Sequence, residues 1–250
     1  MLEPWRTGKF IRIEHAAPAT RRFWIQIPEV EKFDFEPGQF VTLELPIHEK
    51  RNKRWRSYSI ASAPDGTNII ELVIVLLEGG AGTTYLFNQV NPGTEVLLRG
   101  PQGKFTLPEN LDKDLYLICT GTGIAPFRSM ATYLKDHPRE HKNIYIIFGC
   151  RTIEDILYYD ELKQLGSNFP GFTYIPTLSR QQWEGRSGYV HAVYEDILKQ
   201  RASELTEKTE NGLAPAYFFL CGWKNMIDEA RQRIVNLGYD KKDIHLELYG

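Results

Sequence analysis

Four short stretches of this 250-residue chain hold residues whose types and spacing can do chemistry. Thr120-Gly121-Thr122-Gly123-Ile124-Ala125-Pro126 follows the apolar run Leu115 to Cys119, and that order reads as a buried strand, a tight turn and the start of a helix. Two glycines let the backbone turn sharply, and free N–H groups at a helix start face a phosphate. The motif does not spell G-x-G-x-x-G, so alone it fits a packing turn as well as a phosphate site. Arg56-Ser57-Tyr58-Ser59 alternates along a strand, with Arg56 and Tyr58 on one face and Ser57 and Ser59 on the other. A ring beside a guanidinium can stack on a planar ligand and pair with its phosphate; the same alternation also suits a solvent-facing strand. Gly79-Gly80-Ala81-Gly82-Thr83-Thr84 supplies glycines for close backbone approach and two hydroxyls at a helix start, which is a second phosphate position or a capped hairpin loop. Cys221-Gly222 ends an apolar run, as a small buried residue or as part of a site.

The elements that position these residues fall into two patterns. From Phe10 to Arg99, short apolar or alternating runs (Phe10 to Ile13, Phe23 to Ile27, Gln39 to Leu45, Ser57 to Ala61, Ile69 to Leu77, Glu95 to Arg99) are punctuated by Pro37-Gly38, Pro64-Asp65-Gly66 and Pro92-Gly93. That spacing predicts an antiparallel barrel or sandwich, with a short helix over Thr84 to Gln89. Beyond Gly103 the period changes. Buried-type strands at Leu115 to Cys119, Ile144 to Phe148, Phe172 to Thr177, Tyr217 to Cys221 and Ile244 to Leu248 alternate with helical patterns, which predicts an α/β domain with a five-stranded parallel sheet. One helix is expected from Ile153 to Leu165, with Thr152 and Asp155 in capping-box spacing and Gly166 as its stop; another runs from Met226 to Leu237. The charged tract Lys199 to Asn211 reads as a solvated helix end and loop. The polar segment from Pro108 to Asp114 marks the boundary, giving domains 1–109 and 110–250.

Composition narrows the function classes. A formal net charge of −2 gives the whole molecule no electrostatic case for nucleic acid. Cys119, Cys150 and Cys221 form neither a CxxC nor a Cys/His metal spacing, and no C-x4-C-x2-C run exists for an iron–sulfur cluster, so no metal site is expected. Met1 to His15 lacks a long apolar segment, so neither signal peptide nor membrane span is expected, and the default is a soluble protein of the cytoplasm.

Arg56-Ser57-Tyr58-Ser59, Gly82-Thr83-Thr84, Gly121 to Pro126, Cys221-Gly222 and a terminal Glu247-Leu248-Tyr249 occur in the order found in the ferredoxin-NADP reductase family, and the resemblance spans nearly the whole chain. It implies an N-terminal Greek-key barrel that binds FAD, a C-terminal NAD(P) domain, and hydride transfer across the cleft between them. Carried over to this sequence, it gives Arg56 the FAD pyrophosphate and puts Tyr58 and Ser59 beside the flavin, Ser59 near N5. Ile74 and Val75 would pass the flavin through their backbone, and Thr83 with its neighbours Gly82 and Thr84 would hold the pyrophosphate. Thr120, Gly121, Thr122, Gly123 and Pro126 would meet the dinucleotide phosphates and the nicotinamide end, Cys221 and Gly222 would close over the reacting carbon with Met226 nearby, and Glu247 would position the nicotinamide or relay a proton. Tyr249 would stack on the isoalloxazine face; here Gly250 follows it, whereas plant-type members end on the aromatic residue.

Cofactor choice is expected to lie in Ser179, Arg180 and Tyr189, with Arg151 and Arg186 as further candidates. A hydroxyl and a guanidinium suit a 2′-phosphate, so NADP(H) is expected over NAD(H). Electrons then pass to an external carrier. Ferredoxin or flavodoxin is the simplest, docking near Lys50, Arg51 and Lys53, or that tract is a solvated loop or part of an adenine cradle. The iron–sulfur component of an oxygenase and a free flavin are competing acceptors. A flavin-binding redox sensor without turnover is the reading from a different class.

Overall fold

The computed structural model describes residues 3–205 and 212–249. The chain divides into two compact units, one comprising the residues up to Leu107 together with Ala125–His137, the other Pro108–Ile124 together with the residues from Pro138 onward.

The first unit is built on strands β1 (Trp5–Ala17), β2 (Thr20–Gln26), β3 (Phe40–Glu44), β4 (Trp55–Ser59), β5 (Ile69–Val75) and β6 (Glu95–Gln102), with the short helix α1 (Ala81–Asn88) between the last two. Their order in the sheet is β4-β3-β6-β1-β2-β5, every pairing is antiparallel, and an isolated bridge from Ile60 to Leu72 joins the two ends. This is a six-stranded Greek-key barrel, the alternative open to a polar/apolar alternation that must leave no long free edge. One parity of side chains fills it: Phe10, Phe23, Ile25, Val41, Leu43, Ile70, Leu72 and Leu98 form a single buried cluster.

The second unit holds β7 (Asp114–Thr120), α2 (Ala125–Asp136) being counted with the first unit, then β8 (Ile144–Cys150), α3 (Tyr159–Asn168), β9 (Phe172–Leu178), β10 (Arg186–Ser187), α4 (Val190–Ser203), β11 (Ala216–Trp223), α5 (Lys224–Asn236) and β12 (Ile244–Tyr249). The sheet order is β10-β9-β8-β7-β11-β12, parallel throughout. The five expected strands are all present, and the two-residue β10 adds an edge to them. Tyr116, Ile118, Phe218 and Leu220 meet Val193, Tyr194, Ile227 and Ile234 of the helices in one buried cluster.

Two local expectations need correction. The predicted helix Ile153 to Leu165 is broken. Thr152 and Asp155 do make a capping box, but it opens only a 3-10 turn over Ile153–Asp155. Tyr158 then takes a left-handed conformation at φ 56°, and α3 starts after it. Leu157 is drawn into the core, where its carbonyl accepts the Tyr174 hydroxyl at 2.9 Å. Gly166 lies inside α3 rather than ending it. The Lys199 to Asn211 tract begins as the last turn of α4, and its residues 206–211 lie outside the described residues. No helix among the described residues is long and apolar enough to cross a membrane.

Candidate functional site

In the first unit the expected flavin strand is β4. Register pairs Tyr58 with Val41 and Arg56 with Leu43, so both side chains lie on the parity that faces the barrel core, while Ser57 shares a 3.0 Å hydroxyl contact with Thr42 on the other side. Tyr58 packs against the core cluster, and burial pushes its phenol up to about 12, with Arg56 pulling the other way. Ser59 is buried at 5% exposure. Arg56 donates through Nη1 to the carbonyls of Lys53 (3.1 Å) and Trp55 (2.7 Å), which fixes its guanidinium at the end of the strand.

Helix α1 comes up against that arginine. A Cβ on Gly82 would lie 3.0 Å from Arg56 Cγ, so the glycine is what allows the close approach. The helix opens at Gly80 with no side-chain cap and no acidic residue in its first turn, which leaves its first N–H groups and their positive dipole end for an anion. The Thr83 hydroxyl accepts from the Leu77 N–H at 3.1 Å and donates to the Gly80 carbonyl at 3.2 Å, so it closes the loop itself; Thr84 is exposed. At the end of β5, Ile74 is buried and Val75 half-buried, and the chain continues into Leu76 and Leu77, 40% and 44% exposed. Two large side chains left in the open here are an apolar wall that alternation alone did not single out. An uncapped helix start, a fixed arginine, a glycine-made approach and a tyrosine at the mouth of the barrel fit a flavin dinucleotide in their donor chemistry.

A cluster that the sequence gave no sign of binds α2 into the same unit. Glu71 is 2% exposed and accepts from Arg22 at 2.6 and 3.0 Å and from Arg128 at 3.0 Å. Arg128 also donates to the Ala61 carbonyl at 2.8 Å, and Ser129 to the Ser62 carbonyl at 2.6 Å. These contacts hold the segment that directly follows β4. A cleft of about 840 Å³ opens beside the cluster and is lined by none of the expected site residues.

In the second unit the expected nucleotide turn is as drawn from sequence: β7 ends at Thr120, a 3-10 turn spans Gly121–Ile124, and α2 begins. Gly121 sits at φ +52°, and a Cβ on Gly123 would overlap the Cys221 carbonyl, so only glycine lets the turn seat on the end of β11. Gly222 closes the other side at φ +139°, where a Cβ would lie 2.5 Å from Thr120 Oγ1. That hydroxyl is buried without a hydrogen-bond partner among the described residues. Thr122 and Pro126 lie on the same turn and on the first turn of α2.

Register brings the remaining residues together. Cys221 lies opposite Glu247 on β12 and Cys119 on β7, and its Sγ is 4.0 Å from Glu247 Oε1. Burial pushes the Cys221 thiol well above its usual range, Glu247 and Cys119 add to this, and a hydrogen bond with Tyr249 opposes it; the sulfur is a neutral thiol, not a nucleophile. Tyr249 lies two residues further along β12, opposite Trp223, and Met226 is in the first turn of α5 packed against the core. Gly250 is outside the described residues.

At the β8 and β9 ends, Ser179 donates through Oγ to the Cys150 carbonyl at 3.1 Å and Arg180 through its N–H to the Arg151 carbonyl at 3.0 Å. Arg151 and Arg180 are thus brought side by side, both exposed and neither ion-paired among the described residues. Tyr189, 73% exposed, follows Gly188, whose N–H donates to Leu178 next in sequence to Ser179. Arg186 does not join them: it pairs with Asp196 at 3.1 Å.

An antiparallel barrel followed by a parallel α/β unit with a glycine-tight strand-to-helix turn is the architecture expected of a two-domain flavoprotein oxidoreductase. The comparisons agree and go further. An oxidoreductase FAD-binding domain matches residues 8–107 and an oxidoreductase NAD-binding domain matches residues 117–232. The chain is 34% identical to ferredoxin--NADP reductase B of Sorangium cellulosum, over 99% of this chain and 98% of that protein. It is 30% identical to the phenol hydroxylase P5 protein of Acinetobacter pittii over 96% of this chain, spanning 64% of that longer protein's length. Among solved structures, a ferredoxin NADP+ reductase from Neisseria gonorrhoeae with bound FAD and NADP superposes with a TM-score of 0.79 at 26% identity, over 98% of both chains. The chain belongs to the ferredoxin-NADP reductase family.

Proposed function

We propose that the protein is an NADPH-dependent reductase that passes electrons singly to a carrier protein, ferredoxin or flavodoxin, in the cytoplasm. Bound FAD would supply the chemistry: acceptance of a hydride from the nicotinamide and release of the two electrons singly to two carrier molecules, with loss of a proton. The chain's own residues bind and orient. Arg56 and the uncapped start of α1 would neutralise the pyrophosphate, and Tyr58, Ser59 and the backbone of Ile74 and Val75 would hold the flavin. Thr120 to Gly123 would receive the nicotinamide end of NADP(H), with the neutral Cys221, Glu247 and Tyr249 beside them to orient it. Arg151 and Arg180 hold the 2′-phosphate with Ser179, and Tyr189 supplies a platform for adenine.

The single observation that carries the NADP(H) reading is the pair of exposed guanidiniums of Arg151 and Arg180, without an ion pair among the described residues, at the carboxyl ends of β8 and β9. The carrier reading draws on the 98% coverage of the Sorangium reductase and on the basic tract Lys50, Arg51 and Lys53. The match to the longer phenol hydroxylase P5 protein supports a second reading, in which the acceptor is the iron–sulfur component of an oxygenase. Reduction assays with NADPH and each acceptor in turn (ferredoxin, flavodoxin, an oxygenase iron–sulfur component, free flavin) separate these. The proposal expects the highest kcat/KM with ferredoxin or flavodoxin, and a preference for the oxygenase component or free flavin would refute it.

A further inference from the structure

We propose that the outer face of the barrel centred on Trp5, Arg99 and Trp55 is the landing surface for an acidic one-electron carrier protein. The proposal rests on the carrier reading above and gives that reading a place.

Strand register assembles the face from four strands. Trp5 on β1 lies opposite Arg99 on β6, Arg99 opposite Thr42 on β3, and Thr42 opposite Ser57 on β4. One pleat further along, Leu97 lies opposite Glu44 and Glu44 opposite Trp55. All of these have the parity opposite to the core residues Val41, Leu43 and Leu98, so they cover the outside of the barrel.

Arg99 is the unusual member. Its guanidinium lies 5.0 Å from the Trp5 ring centre and 5.3 Å from that of Trp55, and the two indoles are 5.7 Å apart. Cation–π attraction holds it there, but its Nε and the Trp55 Nε1 are buried without hydrogen-bond partners, and no carboxylate pairs with it among the described residues. A half-buried charge with no counter-ion among the described residues is costly unless something else supplies one. Around it the face is cationic. Arg51 reaches over the Trp5 ring at 5.7 Å, and Arg54 stands at the margin. The acids present are already engaged, Glu44 by Arg51 and Arg54, Glu3 by Arg6.

Two tryptophans and an arginine at the centre, with the exposed Leu97 beside them and charges at the rim, is the composition of a protein-binding hot spot, and the sign of the charge selects an acidic partner. Position argues for the electron carrier in particular. The face includes β4, whose Ser59 is four residues from Trp55, about 13 Å along a strand. A carrier seated here is therefore brought to the strand proposed to hold the flavin.

The test uses the FAD-loaded protein, NADPH and an acidic [2Fe–2S] ferredoxin as probe, with Arg99→Gln and Trp5→Leu as variants and ferricyanide reduction and thermal melting as controls. The proposal expects each variant to raise the KM for ferredoxin about tenfold. It also expects Arg99→Gln to flatten the rise of that KM with salt, while ferricyanide reduction is unchanged. Arg51→Gln, at an exposed rim position, is the variant to use if the central ones do not fold; it should raise KM by about threefold. Unchanged KM and salt dependence in folded variants would overturn the landing surface and leave the carrier reading standing. A parent protein that reduces ferricyanide but not ferredoxin would overturn both.

Discussion

Replacing Glu71 by alanine should destabilise the protein by about 3 kcal/mol, near the lower end of what breaking a buried ion pair costs. The structure sets that position in the range. Glu71 itself is 2% exposed, so its carboxylate interacts almost wholly with protein, and removing it takes a buried acceptor from two guanidiniums. Arg128, with 12% of its side chain exposed, also donates to the Ala61 carbonyl, a contact the variant retains. Arg22 is 24% exposed and lies over the Trp24 ring, so it can turn toward water and recover part of the loss. For a chain of this length about 3 kcal/mol corresponds to a fall in Tm of about 6–12 °C. The assay is thermal unfolding followed by circular dichroism with FAD saturating in every sample, so that ligand linkage is the same throughout. Arg128→Ala and the double variant complete the cycle, and the double should be less destabilised than the sum by about 0.5–3 kcal/mol. A Tm change below about 2 °C, or strict additivity, would refute the view that this cluster anchors α2.

The remaining predictions address the nucleotide turn, cofactor choice and pH. Gly123→Ala puts a methyl group into the Cys221 carbonyl and must displace the turn, so kcat/KM for NADPH should fall about 100-fold, the cost of an ångström of misplacement, as read by steady-state kinetics. Arg180→Glu should lower kcat/KM for NADPH by about 10- to 100-fold through loss of a charge-assisted phosphate contact and leave that for NADH little changed. An unsubstituted protein that uses NADH as well as NADPH would defeat the assignment. His191, 6% exposed, has its pKa lowered by burial despite Glu229 at 3.4 Å, with Glu195 favouring the charged form and Arg233 opposing it, and Tyr194 beside it. The native chain therefore holds it neutral while the unfolded chain takes up a proton below about pH 6.5, so stability is flat above that pH and falls below it. Melting curves from about pH 7.5 down to about pH 5.5 should show the fall, and His191→Gln should flatten it.

Much of the architecture could be read in the chain because it is local. Alternation along Val41 to Leu45 and continuous apolar runs such as Leu115 to Cys119 report burial one residue at a time, and both became strands of the expected kind. The glycines of the nucleotide turn were legible for a similar reason, although what each avoids was not: Gly123 spares a carbonyl nearly a hundred residues away on β11. The broken helix after Thr152 shows the limit. Its capping box is a correct local signal, but burial of Leu157 and the left-handed Tyr158 are set by packing against β9. Pairs made by topology left no trace at all. Arg22, Glu71 and Arg128 come from β2, β5 and α2, and the Trp5, Arg99 and Trp55 face from β1, β6 and β4; only strand order and register make neighbours of them. Arg186 illustrates the converse, since its pairing with Asp196 on α4 is a contact that only the fold reveals.

The central claim is that the first unit binds FAD and the chain reduces it with NADPH. Mixing the purified, FAD-loaded yellow protein with one equivalent of NADPH under anaerobic conditions, and following the visible flavin absorbance by stopped flow, tests it most directly. The account predicts bleaching within a single turnover, faster and at lower concentration with NADPH than with NADH. A protein that binds FAD and stays oxidised would contradict it and turn the reading toward a flavin-binding sensor.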